Sequence, residues 1–309
     1  MKFKDQLFDD VYVRKQKAKD IKPARHARAY RIAKKYPEAV FKITSWAHDK
    51  ETVGATLSYV SRSGDLEMED PQGGVLNADD VKKRLDEWAQ DFDTWKKRSR
   101  ESAHIIFSSP KGADREAVRS AVRDFCWAAF ANHDYLMVAH DDTKNPHVHV
   151  VVKARGFDNT KLDPGMRDIK DWRRYYAECL RNKGVQVEAS SRLMRGLLAP
   201  PAPRKGTKPY LPDPERETGS IPPVELSTAQ KRFVKRSGAY QRAYVAVAEE
   251  MIKKGIEKDN AKLKGMGEAV LEYTKERDIQ QREDIKRLYF LKRELDKPVK
   301  SEDGPDRER

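Results

Sequence analysis

Three of the seven histidines of this chain lie within ten residues of one another, at His140, His147 and His149. His147 and His149 are two residues apart in a stretch that is typical of a β-strand, so both imidazoles point to one face of a sheet. Residues 141–146 can form the connection of an antiparallel hairpin. That hairpin would place His140 opposite His147, with Cβ atoms about 5 Å apart. The pattern therefore predicts three imidazoles on one face.

Three imidazoles held in this way can bind a divalent metal ion and leave coordination positions open for a substrate or for water. Such an arrangement is typical of a catalytic ion rather than a structural one. Asp142 can fix the tautomer of one histidine or accept a proton. The pattern differs from that of the histidine-triad nucleotide hydrolases, because their third histidine would fall at Val151.

A metal site on a basic protein suits phosphodiester chemistry, and the sequence leaves two nucleophiles open. One is a metal-bound water molecule. The other is Tyr59, near the end of a predicted helix whose apolar face carries Val53, Leu57 and Val60. Because Tyr59 lies off that face, it is not required for the core and is available for covalent catalysis.

Composition and charge favour a nucleic-acid partner. The 309 residues carry a net charge of +13, with the positive excess in 1–50 and 151–240 and a slightly acidic stretch at 51–150. Basic flanks of this kind attract a polyanion through counterion release. No run of 18 apolar residues and no hydrophobic signal core occurs, so we expect a cytoplasmic protein without membrane insertion. Cys126 and Cys179 fit buried thiols better than a disulfide framework.

Apolar periodicity predicts the elements that position these residues. Their order, with a hairpin near the middle, indicates an α+β fold with a central antiparallel sheet flanked by helices. In chain order we expect a strand at 40–46, helices at 53–60 and 81–95, a strand at 103–108, a helix at 118–129, strands at 135–140 and 147–153, a helix at 169–180 and a last strand at 185–187.

Composition also divides the chain into segments. Eight of the sixteen prolines lie between Pro200 and Pro223, which predicts an extended basic linker. The predicted segments are a basic N-terminal arm at 1–38, the catalytic α+β domain at 39–198, the Pro-rich linker at 199–226, an α-helical C-terminal region at 227–298 and a disordered tail at 299–309.

Four ordered motifs resemble those of conjugative DNA relaxases, which belong to the HUH endonucleases. The closest match is the MOB-P group, which includes the agrobacterial T-DNA border nickase. The resemblance covers about half of the chain, and the N-terminal arm departs from it. The motifs are Y-V-S-R-S-G from Tyr59, H-I-I-F-S at 104–108 with Pro110 and Gly112 after it, H-x-D-x-x-N-P-H-x-H at 140–149, and A-S-S-R-x-x-R-G at 189–196.

The resemblance implies a specific mechanism. Tyr59 would attack a phosphate of single-stranded DNA at an origin of transfer, leaving a 5′-phosphotyrosine and a free 3′-hydroxyl. The three clustered histidines would hold a divalent ion. The family works with Mg²⁺ or Mn²⁺, although imidazole ligands also suit Zn²⁺. Ser108 would position the DNA backbone, and Asp142 would assist a histidine.

Binding of a single strand needs a positively charged groove. The resemblance further implies a type IV coupling protein and relaxosome accessory proteins as partners, and a bacterial cytoplasmic protein that can enter a recipient cell with its DNA. The candidate DNA-binding residues are Arg62, Lys153, Arg155, Arg173, Arg174, Arg192 and Arg195.

Three other functions stay open at this point. A rolling-circle replication initiator of the HUH superfamily would share the chemistry, but it would serve replication. A non-catalytic DNA-binding accessory protein would keep the fold without cleaving. A metal-dependent hydrolase would release its product with no protein attached. Replacement of Tyr59 separates the two classes that use a covalent intermediate from the two that do not.

Overall fold

The described residues belong to two units. The first contains Lys35–Ala189, and the second combines Arg25–Lys34 with described residues from Ser190 onward. No helix in the described part of the chain has an apolar stretch long enough to span a bilayer. The structure, a computed structural model, describes residues 18–93, 99–190, 194–195 and 228–277, with the backbone alone at 18–24 and 228–237.

The first unit is built on a six-stranded antiparallel sheet, which confirms the predicted α+β class. The strands are β1 (Val40–Ala47), β2 (Met68–Glu69), β3 (Val75–Leu76), β4 (Ser102–Ser108), β5 (Tyr135–His140) and β6 (His147–Lys153). Their order across the sheet is β1-β4-β6-β5-β2-β3, so β6 has β4 on one side and β5 on the other.

Helices cover the sheet, and three of them begin where the sequence provides a capping side chain. Asp49, Asn77 and Asp114 accept hydrogen bonds from the first-turn N–H groups of α2, α3 and α4. The helices are α1 (Ala18–Ala33), α2 (Lys50–Val60), α3 (Ala78–Ala89), α4 (Arg115–Ala129), α5 (Met166–Asn182) and α6 (Thr228–Glu257), and residues 261–277 are also helical.

Both faces of the sheet are buried. Val148, Val150 and Val152 of β6 belong to the core beneath α4 and α5. Val151 belongs to a second core on the opposite face, beneath α2 and α3. Since side chains alternate along a strand, His147 and His149 share the face of Val151 and point towards α2. The valine-rich run of β6 reflects a strand that is buried on both sides.

The predicted elements differ from the structure at three places. The helix predicted to reach residue 95 ends at Ala89, where the chain turns. Asp91, just after this turn, forms an ion pair with Lys153 at the end of β6. Residue 95 lies outside the described residues. No strand forms at 185–187, and the only β-bridge described next to this segment is an isolated one between Glu188 and Glu38, outside the named strands. β2 and β3 were not predicted, because two residues are too few to show a period.

The second unit has a helical core of its own. Ala29 and Ile32 of α1 are buried together with Val247 and Met251 of α6 and with Val270. Part of the predicted basic arm is therefore a helix whose last turns pack in this core. The predicted linker at 199–226 and tail at 299–309 lie outside the described residues. The division into five segments stays a prediction.

Candidate active site

The three predicted histidines form one cluster. His140 pairs with His147 across β5 and β6, which confirms the predicted hairpin register. Ring centroids are 5.0 Å apart for His140 and His147, 4.3 Å for His140 and His149, and 5.1 Å for His147 and His149. One ring nitrogen from each residue lies within 4.8 Å of the other two.

Hydrogen bonds hold the two outer histidines of the cluster through one ring nitrogen each. Nε2 of His140 donates to the backbone carbonyl oxygen of Val60 at 2.7 Å. Nδ1 of His147 donates to the carbonyl oxygen of Asn145 at 3.1 Å, and the hydroxyl oxygen of Thr143 lies equally close to it. The second nitrogen of each ring is therefore left for another partner.

A fourth histidine joins the cluster from β4. Nε2 of His104 lies 2.8 Å from Nδ1 of His149, and the two rings stack with centroids 5.1 Å apart. Nδ1 of His104 lies 2.9 Å from the hydroxyl oxygen of Thr44. Sequence reasoning gave His104 no role of its own. Alternation along β4 places it on the correct face, but the sequence does not reveal that β4 lies beside β6.

Burial keeps the inner pair of histidines neutral. Removal from water, with a smaller contribution from His140, lowers the pKa of His149 to about 3 and also lowers the pKa of His104 below its usual range. A neutral imidazole offers a lone pair to a metal ion. His140, His147 and His149 each use one ring nitrogen in a hydrogen bond and keep the other ring nitrogen for a ligand bond. Three such nitrogens fit a divalent ion.

Tyr59 stands beside this cluster in the last turn of α2. Leu57 and Val60 anchor the helix in the core, while Tyr59 itself is 70% exposed. Its ring is edge-on to the rings of His104 and His149, with a centroid separation of 6.4 Å in both cases. The phenol is therefore accessible to a large substrate and adjacent to the proposed metal ligands.

The chain makes a strained turn directly after α2. Arg62 and Ser63 have φ values of 55° and 61°, in the left-handed region that residues with a Cβ rarely adopt, and Gly64 follows at 95°. The turn directs Arg62 to Asp142 on the β5–β6 connection, where Nη2 and Oδ2 are 2.6 Å apart. The hydrogen bond from Arg62 holds the pKa of Asp142 below its usual range.

Two further predicted site residues lie at the same end of the sheet. Ser108 is the last residue of β4 and pairs with His147 of β6, so the two side chains share a face. Asp142 contacts Arg62, whereas the hydrogen bonds of His147 go to the β5–β6 connection itself. The role of Asp142 in assisting a histidine stays a prediction.

Among the predicted DNA-binding residues that the structure describes, Arg62 is the one that a contact, its ion pair with Asp142, brings to the histidine cluster. Lys153 pairs with Asp91, and Arg155 donates to the carbonyl oxygen of Asp91. Lys153 is the last residue of β6 and Arg155 follows it, so both lie at the far end of the strand, about 20 Å from His147.

The remaining predicted DNA-binding residues lie elsewhere. Arg173 donates to the carbonyl oxygen of Phe41, and Arg174 pairs with Asp171 on α5. Arg195 donates to Ser190 within the second unit, and Arg192 lies outside the described residues. A DNA-binding role for each of them stays a prediction.

Comparisons with known proteins identify the region that carries this site. Residues 59–185 match the family described as a relaxase, MobA/VirD2-like, nuclease domain. The chain is 28% identical over 166 residues to the T-DNA border endonuclease VirD2 of Rhizobium rhizogenes, which covers 47% of this chain and 38% of the relative. The corresponding protein of Agrobacterium fabrum is 28% identical, and that of Rhizobium radiobacter is 25% identical.

The chain thus spans less than half the length of the curated relatives that it matches. The match begins at Tyr59 and includes the histidine cluster, so it covers three of the four motifs from which the resemblance was inferred, and the motif at 189–196 lies beyond it. That resemblance is confirmed, since residues 59–185 of this chain are similar to the nuclease domain of MobA/VirD2-like relaxases.

Proposed function

We propose that this protein nicks one strand of DNA by direct attack of Tyr59 on a phosphodiester. The observation that carries the proposal is the position of Tyr59, an exposed phenol whose ring lies 6.4 Å from the ring of His149 in the histidine cluster. A tyrosine that served packing would be buried, whereas Tyr59 is exposed and its neighbours Leu57 and Val60 fill the core. The relaxase family match supports the same assignment.

The chemistry conserves the energy of the phosphodiester. The phenol oxygen of Tyr59 forms a bond to phosphorus as the bond from phosphorus to the 3′-oxygen breaks, and the phenol loses its proton. The departing 3′-oxygen takes up a proton and becomes a free 3′-hydroxyl. The 5′-phosphate stays attached to Tyr59 as a diester, so rejoining by a 3′-hydroxyl reverses the step without ATP.

His140, His147 and His149 would hold a divalent ion through the ring nitrogens that their hydrogen bonds leave over. Such an ion, Mg²⁺, Mn²⁺ or Zn²⁺, supplies Lewis-acid polarisation of the phosphate and offsets charge in the transition state. Ser108, opposite His147, would contact the DNA backbone beside the scissile phosphate. Arg62 would bind a phosphate next to Tyr59, and Asp142 would orient Arg62 or a histidine.

The biological setting follows from the family and not from the geometry. We propose that the substrate is single-stranded DNA at an origin of transfer and that the protein pilots the strand in conjugative transfer. A type IV coupling protein and relaxosome accessory proteins would be its partners. In this proposal the protein serves transfer, whereas the replication initiators of the same superfamily serve replication. DNA from an origin of transfer is therefore the substrate for its test.

An SDS-stable adduct assay tests the proposed reaction. The protein is incubated with Mn²⁺ and a labelled pool of single-stranded oligonucleotides that includes known origin-of-transfer sequences, and denaturing gels are read for protein-linked label. We expect a labelled band with the wild type and with Tyr240→Phe, and none with Tyr59→Phe. Unimpaired DNA binding by Tyr59→Phe would exclude a folding defect. Cleaved DNA without attached protein would instead support the metal-dependent hydrolase.

A further inference from the structure

Two contacts with the hydroxyl group of Thr44 determine the tautomer of His104. The hydroxyl of Thr44 donates its one proton to the backbone carbonyl oxygen of His104 at 3.0 Å. The hydroxyl oxygen of Thr44 lies 2.9 Å from Nδ1 of His104. Because the hydroxyl proton is already used, Nδ1 must be the donor in that contact. Nε2 of His104 is then an acceptor.

The acceptor faces His149. Nε2 of His104 lies 2.8 Å from Nδ1 of His149, so Nδ1 of His149 must carry the proton between them. The remaining nitrogen of His149, Nε2, then keeps its lone pair. Both side chains are buried, with 7% and 4% of their surface exposed, so water does not compete for these contacts.

A local irregularity of the sheet makes this arrangement possible. The pairing of β1 with β4 shifts between Ile43 and Ser45, which leaves Thr44 as the extra residue of a β-bulge. Bulges redirect a side chain that would otherwise follow the alternation of the strand. The bulge therefore provides the contact that determines the tautomer of His104.

We propose that His104, oriented by Thr44, is a positioning residue that holds His149 in the tautomer required of a metal ligand. This inference rests on the proposed function, in which His149 binds the ion. Metal-binding histidines generally donate their other N–H group to a carboxylate or carbonyl. Here a neutral imidazole takes that place, so the contact adds no negative charge and the ion keeps its attraction for phosphate.

His104 also faces the nucleophile. Its ring and that of His149 form adjoining parts of the surface that the ring of Tyr59 meets edge-on. One residue thus supports both the proposed ligand and the proposed nucleophile. We expect its loss to weaken ion binding and strand cleavage together.

Matched variants and Mn²⁺ titration, followed by electron paramagnetic resonance, test the proposal. His104→Leu removes the acceptor, and we expect Mn²⁺ affinity to fall about 10- to 100-fold. His104→Gln retains an amide oxygen that can accept from His149, and we expect at least part of the affinity to return. Thr44→Val should weaken binding, whereas Thr44→Ser, which keeps the hydroxyl, should not. Wild-type affinity in a folded His104→Leu variant would overturn the proposal.

Nitrogen-15 spectra of histidine-labelled, metal-free protein provide the second readout. We expect His104 and His149 both in the Nδ1–H form, and we expect Thr44→Val to release His104 from it. The Nε2–H form of His149 in the wild type would overturn the proposal, whatever the metal affinities. Failure of the wild type to bind Mn²⁺ would count against the proposed metal centre instead, and the tautomer spectra would still decide the role of His104.

Discussion

Nε2 of His140 lies 2.7 Å from the backbone carbonyl oxygen of Val60, the residue directly after Tyr59. This hydrogen bond joins the end of β5 to the end of α2. The helix that carries the proposed nucleophile is thus tied to the strand that carries a proposed ligand. It also assigns the proton of His140 to Nε2 and leaves Nδ1 for an ion.

His140 is therefore expected to have two separable roles. His140→Ala leaves the buried carbonyl of Val60 without a donor, and the free energy of unfolding should fall by about 1–3 kcal/mol. His140→Gln, whose amide can donate to the same oxygen, should keep most of that stability but lose Mn²⁺ binding. Urea denaturation with a chelator and Mn²⁺ titration measure the two effects. Equal stability of the alanine and wild-type proteins would contradict the structural role.

The ligand role of the cluster is tested most directly at His147, which is the least buried of the three. His147→Ala should abolish both Mn²⁺ uptake and adduct formation, because two imidazoles are left to hold the ion. The matched control is His48→Ala, since His48 is an exposed histidine just after the far end of β1. A His147→Ala protein that cleaves at the wild-type rate would remove this ligand assignment.

The contact between Arg62 and Asp142 should affect DNA binding and leave folding almost unchanged. Both side chains are largely exposed, and exposed ion pairs contribute little to stability. Asp142→Asn should free the guanidinium of Arg62 for a phosphate, which would tighten single-strand binding and steepen its salt dependence. Arg62→Gln should weaken binding and lower the salt slope by about one. Fluorescence anisotropy over a salt series measures both changes.

The Asp142→Asn variant also distinguishes the two roles proposed for Asp142. If Asp142 only orients Arg62, the asparagine variant should cleave in proportion to its DNA occupancy. If it also assists a histidine, cleavage at saturating DNA should fall. Weaker DNA binding by Asp142→Asn would contradict the competition between this carboxylate and phosphate.

A buried hydrogen bond fastens α5 to the chain just after β4. The hydroxyl groups of Tyr176 and Ser109 are 3.0 Å apart, and both residues are almost fully buried. Tyr176→Phe should lower the free energy of unfolding by about 1–2 kcal/mol, because the serine hydroxyl loses its partner. The double variant with Ser109→Ala should cost less than the sum of the single changes. Strict additivity in urea denaturation would contradict this coupling.

Both cysteines should be inert in the native protein. Cys126 and Cys179 are buried free thiols, as expected from the sequence. Burial raises the pKa of Cys126 well above its usual range and that of Cys179 to about 12. At pH 8 only about one Cys179 in 10,000 would be a thiolate, the reactive form. Iodoacetamide followed by mass spectrometry should label neither residue until the protein is unfolded, and rapid native labelling would contradict this burial.

The sequence alone determined the features that depend on local periodicity. His147 and His149 share a face because side chains alternate along a strand, and His140 joins them because a short hairpin brings neighbouring strands together. Tyr59 could be placed off the apolar face of its helix for the same kind of reason. The ordered motifs then indicated the relaxase family, and the antiparallel α+β class followed from the order of the elements.

The tertiary structure decided which distant residues meet. The placement of β4 between β1 and β6 brings His104 to His149, and a bulge in β1 brings Thr44 to His104. Neither contact leaves a periodic signal, because each depends on the pairing of strands separated by long connections. The packing of α2 on the histidine-bearing face likewise decides that Tyr59 stands beside the cluster. Local pattern predicted the candidate ligands, and long-range packing decided which side chains contact them.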